Sequence, residues 1–253
     1  MTSSASYLYR PSPQAILLIG GQGTRIRSVA PDRPKALISI AGKPFLQWQI
    51  EWLSKQNITD IHLSAGYMPK AIQEWLDADP FPDLKISLSI EPRPLGTAGA
   101  IKFLENAIQT DPFFVLNGDS LLLNLDFQAL SNQHCTSLDA LMTLSITQIQ
   151  DAGRYGTVTF NDQDLVTSFQ EKAHHTEGWI NGGVYLMAKK VLASIEPNKT
   201  MSLETDIFPV LSQEGRLKAY KTPPPLLDMG TPTGLKEMGK ALDASATDGS
   251  AHH

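Results

Sequence analysis

Gly20, Gly21 and Gly23 are followed at once by Thr24 and Arg25, then by Arg27, and across a Pro-bounded loop by Lys35. Glycines let the backbone approach a ligand where a side chain would otherwise intervene. An Arg and a Lys converging on that backbone would neutralise a polyphosphate, the Arg through its planar fork and the Lys as a compact charge. Two common phosphate loops are excluded, because the third glycine of G-x-G-x-x-G is missing and no G-K-[ST] follows. Two carboxylates complete the set. Asp119 closes the apolar run of "FFVLNGDS", and Asp228 closes that of "PLLDMGTP". A carboxylate at the carboxyl end of a buried strand stands where open α/β sheets hold their ligands. Two of them beside a phosphate loop suit Mg²⁺, which takes one or two carboxylates plus phosphate oxygens. The plainer alternatives are a glycine turn with solvated basic residues, and aspartates that cap helices or turns.

The elements that must position these groups follow from the hydrophobic pattern. Short apolar runs such as "QAILLI", "DIHLSA", "LKISLSI" and "FFVLN" alternate with helical patterns such as "PFLQWQIEWLSKQ" and "TAGAIKFLENA". That rhythm predicts an α/β fold of βαβ units around a mainly parallel, Rossmann-like sheet. Beyond about residue 137 consecutive strands follow, which predicts added antiparallel strands and a substrate-facing lobe. The expected organisation is a single domain over 14–243, with one half over about 14–136, a second over about 137–243, and polar tails at 1–13 and 244–253. Trp48, Trp52 and Trp75 lie at helical spacing among apolar neighbours and are expected to pack rather than stack on a base.

Composition removes several classes. The 253 residues carry a net charge of -5, which argues against a nucleic-acid partner. Neither an apolar run of about 18 residues nor a secretory leader is present, so no membrane contact and a cytoplasmic location are expected. The single Cys135 excludes an internal disulfide and a Cys-based zinc site. His174 and His175 lack a third ligand at metal spacing.

Taken together, the words G-G-x-G-T-R and P-K (Gly20 to Arg25, Pro34-Lys35), "NGD", "EK", "NGGVY" and "DMGTP" resemble the sugar-1-phosphate nucleotidyltransferase family over about Gln14 to Ala241. Within it, "RIRSVAPDRPKAL", "LSAGYMPKAIQEW", "EPRPLGTAGAI" and "INGGVYLM" are most similar to the D-glycero-α-D-manno-heptose 1-phosphate guanylyltransferases. Mannose-1-phosphate guanylyltransferases and glucose-1-phosphate thymidylyl- or uridylyltransferases share most of these words. The resemblance implies a GT-A-like fold, Mg²⁺ as cofactor, a nucleoside triphosphate (GTP favoured) and a sugar 1-phosphate as substrates, and a monomer or homodimer.

The resemblance also implies roles. Gly20, Gly21, Gly23 and Thr24 would meet the triphosphate, and Arg25 would stabilise charge on the departing pyrophosphate. Lys35 would neutralise the α-phosphate and the incoming sugar phosphate, while Asp119 and Asp228 would hold the metal. Gly66, Gly96 and Thr97 would edge the nucleobase, with capping of the following helix as the alternative for Thr97. Gly156, Glu171, Lys172, Asn181 and Gly182 would serve the sugar phosphate; by their own sequence context Glu204 and Asp206 in "SLETDIF" would cap or begin a helix, with a minor sugar contact as the alternative for Glu204. Tyr155 and Tyr185 belong to core or rim. In-line attack by an already ionised phosphate needs no covalent nucleophile or general base. The weighed alternatives are a sugar-nucleotide sensor that lost its chemistry, and a nucleotidyltransferase for a non-sugar acceptor. "EKA" and "NGGVY" speak against the latter, and the chain length speaks for a monofunctional enzyme.

Overall fold

The computed structural model describes residues 13–26, 30–137, 139–150, 152, 156–170 and 177–248. Its strands are β1 (Ala15–Leu18), β2 (Ser39–Ile40), β3 (Lys43–Pro44), β4 (Asp60–Ala65), β5 (Lys85–Ile90), β6 (Phe113–Asn117), β7 (Ser120–Leu122), β8 (Met142–Ile149), β9 (Thr157–Phe160), β10 (Val166–Gln170), β11 (Gly178–Met187), β12 (Leu217–Lys221) and β13 (Leu226–Asp228). The helices are α1 (Phe45–Lys55), α2 (Pro69–Asp77), α3 (Gly96–Phe103), α4 (Phe127–Thr136), α5 (Phe208–Gln213) and α6 (Pro232–Asp248).

The main sheet runs β10-β9-β11-β6-β1-β4-β5, with β8 also paired to β11 and β12 to β8. Strands β6, β1, β4 and β5 are mutually parallel, so their carboxyl ends lie along one edge. β11 reverses the direction, pairing antiparallel with β6, β8 and β9. The alternation of strand and helix thus builds the parallel part, and the strand-rich second half adds the antiparallel part. A separate ribbon pairs β7 with β13.

β1 and β6 are buried on both faces and read as continuous apolar runs, whereas β4 alternates its apolar residues with His62 and Ser64 and the half-buried β5 with Ser87 and Ser89. Successive side chains point to opposite faces. Leu17 and Leu116 accordingly join Leu46, Ile50 and Leu53 of α1 and Met238 of α6 in one core, whereas Ile16 and Val115 join Ile101 of α3 and Phe208 of α5 in the other. α1 buries Phe45, Leu46, Gln49, Ile50, Trp52 and Leu53, the stripe of a core-facing helix. The tryptophans pack as expected: Trp52 lies edge-on to Phe127 at 4.9 Å, Trp75 meets Phe81 at 6.2 Å, and Trp48 donates its indole N–H to the Ile40 carbonyl at 2.8 Å. The last helix runs past Asp243 to Asp248.

Candidate active site

The glycine loop leaves the end of β1 and threads between two neighbours. A Cβ on Gly20 would sit 2.5 Å from Glu91 Oε1, and one on Gly66 would sit 3.0 Å from the Gly20 carbonyl oxygen. Glycine at 20 therefore makes room for the Glu91 carboxylate, which follows β5. Gly21 faces open space, and Gly23 has φ +57 with the Lys35 side chain 3.2 Å from its notional Cβ. A short 3₁₀ turn over Thr24–Ile26 follows, in which buried Ile26 anchors the turn and Arg25 is left exposed.

Lys35 opens a second 3₁₀ turn, and its Nζ donates to Asp119 Oδ2 over 2.7 Å. The lysine side chain is 13% exposed and the aspartate 41%, so the pair lies at a cavity wall rather than on the outer surface. Asp119 stands in the turn between β6 and β7. The β7–β13 ribbon brings the second aspartate to it: Asp228 lies opposite Ser120, and the Met229 N–H donates to the Asp119 carbonyl at 3.0 Å. Asp228 Oδ1 accepts the Gly230 N–H at 2.7 Å.

Two cavities open along this edge. One of about 360 Å³ is lined by Gly20, Glu91, Gly96, Thr97 and Glu204 among others. The other, of about 410 Å³, is lined by Gly23, Thr24, Arg25, Asn181, Gly183 and Asp228 among others. Gly21, Lys35, Asn117 and Asp119 line both, forming a seam.

Of the expected residues among those described, Gly66, Gly156 and Gly182 line neither cavity. Gly66 is taken up in packing on Gly20, and Gly156 is exposed ahead of β9. A Cβ on Gly182 would meet Leu122 and Ser145 at 2.7 Å, so that position faces the interior while Gly183 borders the cavity. Arg27, Tyr155, Glu171, Lys172, His174 and His175 lie outside the described residues.

Gly96 and Thr97 line the first cavity, but their special features answer to the protein itself. Gly96 has φ +72, and its Cβ would fall 2.4 Å from the Met201 carbonyl oxygen. That same carbonyl accepts the Ala98 and Gly99 N–H groups, closing the start of α3. The Thr97 hydroxyl accepts from Leu203 N at 2.7 Å and donates to Glu204 Oε2 at 3.0 Å, so it ties α3 to the π-helical turn Leu203–Ile207 instead of capping its own helix. Asn181 accepts the Gly183 N–H and donates to the Tyr185 hydroxyl, both within 2.9 Å. Tyr185 is wholly buried, and burial first, with the Glu204 charge second, pushes its phenol above the ordinary tyrosine range.

Glu91 carries a role the motifs do not announce. Its Oε1 accepts from the Ser64 hydroxyl at 3.1 Å and its Oε2 from Leu95 N at 3.3 Å, so the carboxylate is fixed at the wall of the first cavity. The available signal is the one that marks Asp119, an acidic residue directly after an apolar strand. Among the described residues no cluster of three or more His, Cys, Asp or Glu is placed to hold a metal. Asp119 and Asp228 are a pair of hard oxygen donors in one cavity, which fits an ion that draws its other ligands from phosphate and water.

A glycine loop, a lysine and Asp119 at the carboxyl edge of the parallel strands, with Asp228 brought beside them by the β7–β13 ribbon, define a nucleotide-handling α/β protein. The chain belongs to the nucleotidyl transferase family, whose model matches residues 14–245. A Campylobacter jejuni D-glycero-α-D-manno-heptose 1-phosphate guanylyltransferase is 39% identical over 191 residues, 76% of this chain and 83% of the relative. A Schizosaccharomyces pombe mannose-1-phosphate guanyltransferase is 33% identical over 87% of this chain and 61% of the relative. The crystal structure of HddC from Yersinia pseudotuberculosis complexed with GMP-PN superposes with a TM-score of 0.81 at 33% identity, covering 91% of this chain and 99% of HddC. Among the described residues no helix is long and apolar enough to cross a membrane.

Proposed function

We propose that this chain transfers the guanylyl group of GTP to a sugar 1-phosphate and releases pyrophosphate, with D-glycero-α-D-manno-heptose 1-phosphate as acceptor and GDP-heptose as product. The observation that carries the reading is the seam, because two phosphorylated substrates occupying the two cavities would meet beside Lys35 and Asp119. The guanylyltransferase relatives support the same choice of nucleotide and sugar.

A sugar-phosphate oxygen attacks the α-phosphorus in line. The bond to the β-phosphate breaks, and pyrophosphate leaves with the electron pair. Lys35 reduces the repulsion between the two anions, and Arg25 stabilises charge on the leaving group. Holding both reactants in line supplies much of the rest. Asp119 and Asp228 would hold Mg²⁺, which when bound supplies neutralisation of phosphate oxygens. Glu91 provides an acceptor-only group for the N1–H and amino donors of guanine. The half over about 14–136 would chiefly serve the nucleotide, and that over about 137–243 the acceptor and, through Asp228, the metal; there Glu171 would meet sugar hydroxyls and Lys172 the acceptor phosphate.

Mannose 1-phosphate is the second acceptor to weigh, given the mannose-1-phosphate guanyltransferase relative. The test is a matrix of GTP, dTTP and UTP against heptose, mannose and glucose 1-phosphates, with pyrophosphate release as readout. GTP with the heptose 1-phosphate is expected to give the highest specificity constant. A higher value for dTTP or UTP with a hexose 1-phosphate would overturn the substrate pair and leave the reaction class standing.

A further inference from the structure

We infer that Gln49 is a positioning residue for the reaction: it clamps the turn that presents Asp119. Gln49 lies on α1, is 0% exposed, and sits among Phe45, Leu46, Ile50 and Leu53. Its Nε2 donates to the Asn117 carbonyl at 2.9 Å and to the Ser120 carbonyl at 3.1 Å. Asn117 ends β6 and Ser120 begins β7, so the two hydrogens of one amide group close both ends of the turn formed by Gly118 and Asp119.

Besides the Lys35 bond to the Asp119 carboxylate, backbone bonds hold this turn. Gly118 N donates to the Leu18 carbonyl at 3.0 Å, and Met229 N donates to the Asp119 carbonyl at 3.0 Å. A Cβ on Gly118 would lie 2.3 Å from the Leu18 oxygen, so the turn is pressed against β1. The Gln49 clamp, by contrast, is made by a side chain and can be removed without cutting a ladder.

The chemistry of the position points to function. An amide in an apolar core is costly unless bonded, and Gln49 Oε1 has no hydrogen-bond partner among the described residues. The fold retains an unpaired acceptor there in order to keep the two donors. A core chosen for packing alone would carry Leu or Met at this helical position.

The inference rests on the reading that Asp119 holds the divalent cation with GTP. Mn²⁺ can replace Mg²⁺ as a spectroscopic probe: free Mn²⁺ is followed by electron paramagnetic resonance while the protein is titrated in the presence of GTP. Gln49→Met keeps the volume and removes both donors. It is expected to weaken Mn²⁺ binding about 10- to 100-fold, as loss of groups that orient metal ligands does. Asp119→Asn should weaken it at least as much. The double variant should bind Mn²⁺ no worse than Asp119→Asn alone, since a residue that acts through Asp119 has nothing left to position.

Unchanged Mn²⁺ binding in Gln49→Met, or fully additive losses in the double variant, would overturn the role of Gln49. Unchanged binding in Asp119→Asn would instead overturn the metal reading. Should Gln49→Met not fold, Gln49→Asn keeps an amide in the core but is one methylene too short to span both carbonyls, and the same outcomes decide.

Discussion

Lys35 Nζ donates to Asp119 Oδ2 over 2.7 Å at the seam shared by the two cavities. In the absence of substrate each partner gives the other a counter-charge, which a mostly buried lysine needs. In the proposed reaction a triphosphate would offer the lysine oxygens of higher charge and free Asp119 for a cation, which would couple nucleotide arrival to metal binding.

Lys35→Met removes the charge but keeps the stem. Turnover is expected to fall about 10²- to 10³-fold, the usual loss for a group aimed at transition-state charge. Thermal stability should change little, because Asp119 is 41% exposed and is not stranded in a dry core. Steady-state kinetics alongside a melting curve check both. A large drop in melting temperature with full activity would make the pair a structural ion pair.

Arg25 is exposed at its 3₁₀ turn, so Arg25→Ala should leave the melt unchanged. The loss should appear in the turnover number and not in the Michaelis constant for GTP, since charge on pyrophosphate grows only as the bond breaks. If the Michaelis constant rises and turnover holds, Arg25 binds the ground state instead.

Gly96 and Gly42 separate backbone strain from contact. Gly42 has φ +83 with open space around its notional Cβ, whereas Gly96 has φ +72 with the Met201 oxygen 2.4 Å away. Gly42→Ala should cost about 1–2 kcal/mol for the left-handed backbone alone. Gly96→Ala should cost a further 1–3 kcal/mol or so for the overlap. Denaturant midpoints measure the difference, and equal costs would mean that the Lys199–Met201 segment yields.

The parallel strands, the helices between them and the strand-rich second half are all legible in the sequence, because β1 and β6 leave continuous apolar runs and β4 and β5 leave alternating ones. Asp119 and Asp228 are legible as strand-end acids. Their meeting is not, since it depends on β7 pairing with β13 far along the chain. Gly20 and Gly96 are legible as close approaches and both line the first cavity, but the contacts with Glu91 and Met201 that also require glycine there are not. Those contacts are long-range and leave no local pattern. Gln49 is hidden for a related reason, as a polar residue within an amphipathic stripe shows nothing of the two distant carbonyls it bonds.

Asp119→Asn and Asp228→Asn are isosteric and remove only charge. Each should lower turnover about 10²-fold or more with an unchanged melt, and chelation by EDTA should abolish the reaction. Pyrophosphate release measured across Mg²⁺ concentration gives the answer. Near-normal activity in either variant removes that residue from the metal pair, and turnover that persists in EDTA removes the metal from the reaction.

Glu91 provides the test of base choice. Its two carboxylate oxygens already accept from Ser64 Oγ and Leu95 N, which fixes the group without using all of its lone pairs. Guanine presents two adjacent donors, N1–H and the amino group, to which an acceptor-only carboxylate is matched. Thymine and uracil present one N–H between two carbonyls, and a carboxylate there repels the carbonyl oxygens. Glu91→Gln exchanges one acceptor for a donor at constant shape. The specificity constant for GTP should drop roughly 10- to 100-fold, equivalent to about 1–3 kcal/mol for one mispaired group. The constant for UTP should hold or rise, because the introduced donor faces a carbonyl. Specificity constants for both nucleotides, at saturating sugar phosphate, give the ratio directly. An unchanged ratio would place the guanine edge elsewhere in the cavity, away from the end of β5.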